Sequence, residues 1–153
     1  MRAFTKILTV DPKITLTILG EGTEIKTLQK YIRLHSLKNN IFIRASSQHV
    51  STYLKDASIV VMTSLYEGMS LAVLEAMAAG RVVVATSHPG ADEYIKHNST
   101  GFIASNEKEF IAYIHTLLHD KALRLRMSSD ARQYALANFS HGPLKAYAKL
   151  LAP

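Results

Sequence analysis

Cysteine is absent from the 153 residues, which excludes a disulfide framework and a thiolate zinc site and leaves nothing that requires an oxidising compartment. Tryptophan is absent too, and no aromatic side chains interleave with the scattered basic ones, so a nucleic-acid platform has no basis. Long apolar runs are missing. The longest apolar region, Leu71 to Ala85, is broken by Glu75 and Arg81, whereas a membrane-spanning helix needs about 20 mostly apolar residues. Met1 to Asp11 lacks the apolar stretch of a signal peptide. The expectation is a cytoplasmic protein with no nucleic-acid partner. There is no internal repeat, low-complexity tract or linker, so residues 1–153 are expected to form a single domain.

What is present is ordinary globular composition, 48% hydrophobic and 20% charged. The 18 basic side chains outnumber the 12 acidic ones, for a net charge of +6. That surplus favours anionic partners without choosing among nucleotides, phosphates and acidic surfaces.

Two continuous β-branched runs, Ile14 to Leu19 and Ile59 to Thr63, read as strands buried on both faces of a parallel sheet. Shorter strands are predicted at Ile41 to Ile43, Val82 to Ala85 and Gly101 to Ile103. Helical spacing falls between them: Ile25, Leu28 and Ile32 in one segment, and Leu71, Leu74 and Ala78 in another, with Ser70 as its N-cap and Gly80 closing it. After Ile103 only helices are expected, through Phe110, Ile111, Ile114 and Leu118, then Leu123, Met127 and Ala131, then a last one from Pro143 to Leu151. Alternating strands and helices make the class α/β.

Ligands of open α/β sheets sit beyond the carboxyl ends of the strands, and Glu67 falls there, in the turn after Ile59 to Thr63. The next helix offers first-turn amides and a positive dipole end for phosphate oxygens. Gly68 allows close backbone approach, and Leu71 and Ala72 supply N–H groups. Glu75 lies on the same helix among Leu, Ala, Val and Met. A carboxylate in such a face needs satisfying donors, which ribose hydroxyls supply. The alternative is a glutamate on the solvated stripe.

Tyr66 to Gly80 resembles the E-x7-E signature of the family 4 retaining glycosyltransferases, with Glu67, Gly68, four apolar residues from Leu71 to Leu74, and Glu75-Ala76-Met77-Ala78-Ala79-Gly80. Gly20-Glu21-Gly22, Pro89 to Glu93, Gly101-Phe102 and Asn138-Phe139-Ser140 resemble the family's other landmarks. The resemblance implies a Rossmann-like parallel sheet flanked by helices, the C-terminal half of a GT-B fold. By it, Glu67 acts at the donor sugar and is the catalytic residue. Gly68, Met69, Ser70, Leu71, Ala72 and Glu75 bind the nucleotide sugar donor, and Arg44, Ala45 and Ser46 meet the base. The implied reaction transfers a sugar from a nucleotide diphosphate to a glycan or glycolipid acceptor in polysaccharide, capsule or lipopolysaccharide biosynthesis. No cofactor and no metal is expected.

The chain departs from that pattern at its start. The family's first strand, with its G-R loop and lysine, has no counterpart in Met1 to Lys13, and Arg2 and Lys6 are not assigned to it. Loss of that central strand predicts direct pairing of Ile14 to Leu19 with Ile59 to Thr63, giving five strands, or an added strand from another chain. The N-terminal acceptor domain is expected as a separate partner, in cis or in trans, and this chain alone is expected to be inactive. The alternative is a non-catalytic nucleotide-sugar-binding module or remnant. A glycoside hydrolase using Glu67 and Glu75 is disfavoured by the apolar helix between them. An epimerase of related fold is not excluded by fold alone.

Three other features are read plainly. His115 and His119 have the spacing of a metal face but lack a third ligand. His88 reads as an exposed loop residue. The basic positions Lys121, Arg124, Arg126 and Arg132 read as a solvated helix face rather than as the seat of a peripheral association with the inner face of a membrane.

Overall fold

The computed structural model describes residues 1–45, 50–64 and 70–139. Pro143 to Leu151, the expected last helix, lies outside them. In chain order the elements are α1 (Arg2–Leu8), β1 (Leu16–Leu19), α2 (Ile25–Leu34), β2 (Ile41–Arg44), α3 (Val50–Asp56), β3 (Ile59–Met62), α4 (Leu71–Ala78), β4 (Val82–Thr86), α5 (Ala91–Tyr94), β5 (Gly101–Ala104), α6 (Glu107–His119) and α7 (Lys121–Phe139). Each predicted strand forms, and after β5 the described chain is helical. The class is α/β, with parallel strands flanked by helices.

The sheet order corrects one expectation. β1 pairs with β2 in parallel, Leu16 opposite Ile41 and Leu19 opposite Arg44. β3, β4 and β5 form a second parallel sheet in that order. The expected direct pairing of Ile14 to Leu19 with Ile59 to Thr63 is not made. β1 also starts after Ile14, because Asn40 Nδ2 donates to the Pro12 and Ile14 carbonyls at 3.0 and 3.1 Å ahead of the ladder.

Packing divides the chain into two compact units, Met1–Val50 and Ser51–Pro153. In the first, Ile32, Leu37 and Ile41 are buried, with Phe4, Leu8, Leu16, Ile18 and Ile43 packed partly against them. α1 was not expected. Phe4, Ile7 and Leu8 nonetheless recur at helical spacing, and Ile7 is buried.

In the second unit, Val82, Val83, Val84 and Ala85 of β4 are wholly buried, as a strand with neighbours on both sides and helices on its faces must be. α4, α6 and α7 pack against β4. Gly101 fits where nothing larger could: a Cβ there would stand 2.6 Å from the Val83 carbonyl oxygen.

α4 buries Val73, Leu74, Ala76, Met77 and Ala78. Leu71, expected on its inner face, is instead 60% exposed. The helix closes on Gly80, at φ +68°. The Gly80 and Arg81 amides donate back to the Met77 and Ala76 carbonyls, the two bonds of a Schellman ending.

Candidate functional site

Ser70, Leu71, Ala72 and Glu75 are brought together at the start of α4, just beyond the carboxyl end of β3. Glu67, Gly68 and Met69 lie outside the described residues. The Ser70 carbonyl accepts from the Val73 and Leu74 amides at 3.1 Å, so it opens the helix as predicted. Its side chain makes no capping bond, which corrects the expected N-cap contact, and it is buried. Leu71 and Ala72 are exposed. The Leu71 and Ala72 amides, in the first turn, have no partner within the helix.

Glu75 is half-buried, which separates it from a fully solvated stripe. Burial pushes its carboxyl above the ordinary carboxylate value, because removal of water penalises the charged form. Such a group gains from any donor delivered to it. Arg132 from α7 reaches the α4 C-terminus and donates to the Ala78 carbonyl, which fixes the helix from its far end.

Arg44 and Ala45 end β2 in the first unit, both exposed, and Ser46 lies outside the described residues. The Arg44 guanidinium stands over the Phe42 ring, 5.4 Å from its centroid. Gly20 follows β1 on the same sheet, its amide bonded to the Arg44 carbonyl at 3.1 Å.

Two groups near the β4 terminus were misread or missed in the sequence. His88 is buried, not exposed. Its Nδ1 lies 3.0 Å from the Pro89 carbonyl and its Nε2 3.0 Å from the Tyr94 hydroxyl. A carbonyl only accepts, so Nδ1 carries the proton and Nε2 accepts from Tyr94. Thr86 Oγ1 donates to the Ser64 carbonyl at 3.1 Å, tying the end of β4 to the segment after β3. The signal for His88 was its place before Pro89-Gly90, a tight turn that draws the ring inward.

His115 and His119 stack at 4.3 Å between ring centroids, and no group of three metal-ligating side chains occurs among the described residues. The basic positions on α7 are not uniformly solvated, which corrects the reading of that face. Arg124 donates to the Leu117 and Leu118 carbonyls at the end of α6, and Arg132 is engaged on α4. No described helix is long and apolar enough to cross a membrane.

Comparison with known proteins fits this geometry. The family described as glycosyl transferases group 1 matches residues 1–134. Glycosyltransferase 1 domain-containing protein 1 of Xenopus tropicalis is 31% identical over 132 residues, covering 85% of this chain and 38% of that protein. S. aureus TarM, solved as a variant with fondaparinux, alpha-GlcNAc-glycerol and UDP, superposes with a TM-score of 0.87 at 26% identity over 98% of this chain and 31% of its own. The C-terminal domain of a glycosyl transferase group 1 protein from Francisella tularensis shares the fold, with a TM-score of 0.78 at 24% identity over 90% of this chain and 75% of that one. The chain thus spans roughly a third of the full-length relatives it matches. With a helix start and a half-buried glutamate beyond a parallel strand, and a family match over most of its length, this chain belongs to the glycosyl transferases group 1.

Proposed function

We propose that the chain is the donor-binding, C-terminal half of a family 4 retaining glycosyltransferase that takes a nucleotide diphosphate sugar and passes its sugar to a glycan or glycolipid acceptor. The whole chain, both compact units included, is read as one donor-binding domain. The observation that carries the reading is Glu75: a half-buried carboxylate with a raised pKa on the otherwise apolar α4.

In this reading the ribose hydroxyls donate to the Glu75 carboxylate and replace the water it lost. The diphosphate lies at the first-turn amides of Leu71 and Ala72, where the helix dipole favours the charge that builds on the leaving group. Glu67 and Gly68 act at the sugar, and Arg44 to Ser46 at the base. The UDP present with TarM supports a nucleoside diphosphate as the ligand class. Transfer itself requires an acceptor-binding partner domain, and no step assigned here calls for a metal.

Ligand-detected NMR of the chain with UDP, GDP and ADP and their sugars, beside Glu75→Ala, tests the reading. Selective binding of one nucleotide that the variant loses is expected. Binding that survives Glu75→Ala would remove the ribose role. No binding of any nucleotide at millimolar concentration would leave the remnant as the reading.

A further inference from the structure

We propose that the outer edge of β2 takes an acidic, extended segment of a partner protein, added to the sheet as a further strand and held by Lys26, Lys30, Arg33 and Arg44. Arg44 is shared with the base contact proposed above; Lys26, Lys30 and Arg33 are not part of that site.

The cleft beside that edge has a volume of 410 Å³ and is lined by Gln29, Ile32, Arg33 and the strand from Ile41 to Arg44. All of these residues belong to the first unit. Successive residues of a strand send their amides to alternate sides, and the bonds from the Leu16 and Gly20 amides to the Asn40 and Arg44 carbonyls turn the even-numbered positions of β2 toward β1. Ile41 and Ile43 therefore direct their N–H and C=O groups outward. The Ile41 amide is already given to the Leu37 carbonyl at 2.9 Å. That leaves the Ile43 pair as the open edge, its carbonyl met only by the Arg44 guanidinium at a long 3.4 Å. An open pair of this kind is a template for another strand.

The charge around the edge selects the occupant. Lys26, Lys30 and Arg33 lie on one exposed face of α2, at positions i, i+4 and i+7, and Arg44 is exposed at the end of the strand. None of the four makes an ion pair with a described carboxylate. A second copy of the chain would bring its own net charge of +6, so self-pairing is opposed by repulsion. A small anion would gain little from a cleft this open, since tight small-ligand sites enclose most of the ligand surface. A strand needs cover on one side only: glutamates at alternate positions would face Lys26, Lys30 and Arg33 on α2, and the apolar residues between them would lie on the opposite face of the sheet, beside Phe42.

The probe is a short blocked peptide alternating Glu and Val, titrated into the intact chain and followed by amide NMR. The Ile43 and Arg44 amides should shift, and exchange of the Ile43 N–H should slow by about tenfold. The exposed double variant Lys30→Glu with Arg33→Glu should bind about tenfold more weakly. The same peptide with its alternate amides N-methylated should also lose binding. The proposal is overturned if the Ile43 amide stays unmoved at millimolar peptide, if a Lys-Val peptide binds equally, or if N-methylation has no effect. It is likewise overturned if phosphatidylglycerol vesicles bind through these cations and the peptide does not, which would make the surface a lipid contact.

Discussion

The central strand of the second unit is buried more deeply than either strand of the first. β4 is wholly buried along Val82 to Ala85, flanked by β3 and β5, whereas β1 and β2 each have one neighbour and remain half-exposed along most of their length. Their helices end differently as well. α2 and α4 close with the same Schellman pair of bonds: the Ser36 and Leu37 amides donate to the Arg33 and Ile32 carbonyls, as Gly80 and Arg81 do in α4. The left-handed position is a glycine in α4 and a serine, at φ +55°, in α2. The left-handed end of α4 is therefore free of the Cβ strain that α2 carries at Ser36.

Substitutions can break that contrast, beginning with the largest effect. Gly101→Ala drives a Cβ into the Val83 carbonyl, a backbone atom that cannot step aside, and should cost about 3 kcal/mol or more. Urea unfolding followed by near-ultraviolet circular dichroism would show it, and a wild-type midpoint would refute the close approach. Leu74→Ala, in a fully buried position, should cost about 2–5 kcal/mol, and Ile18→Ala, half-buried on β1, less than half as much. Equal losses would erase the difference between the units.

The helix ends offer a finer test with opposite signs. Ser36→Gly should stabilise the chain by about 1 kcal/mol and Gly80→Ala destabilise it by about the same. The Gly80 change is a test of backbone angle alone, because a Cβ there meets only Arg132 Cδ at an ordinary 3.7 Å. Thermal melts of both variants measure this, and a loss in Ser36→Gly would mean that the serine side chain matters more than its φ.

The smallest effect is on pH dependence. Because burial raises the Glu75 pKa above its unfolded value, the folded state holds that proton more tightly. The stability it contributes is whole below the unfolded pKa and declines as the pH rises through the raised folded one. Glu75→Gln should accordingly gain on the wild type across that window and hold a constant lead above it. A difference independent of pH would mean that the carboxyl is solvated.

Much of this was legible in the sequence, for identifiable reasons. Continuous β-branched runs located β1 and β3, shorter apolar runs located the other three strands, and Gly80 marked the end of α4. Which residue of α4 faces outward was not legible. The helix is short and apolar on all sides, so spacing carries no phase, and Leu71 was placed on the wrong face. The split into two sheets was hidden because strand order depends on a neighbour that no local pattern encodes. Arg124 and Arg132 read as solvated charges because their acceptors are backbone carbonyls at helix ends, which leave no mark in composition. Glu67 falls outside the described residues, and its role comes from the resemblance of Tyr66 to Gly80.

The His88 pair braces the chain after β4. With Nδ1 hydrogen-bonded to Pro89 and Nε2 to Tyr94, both ring nitrogens are engaged within the fold, and the buried ring couples the turn at Pro89 to the helix α5 that follows it.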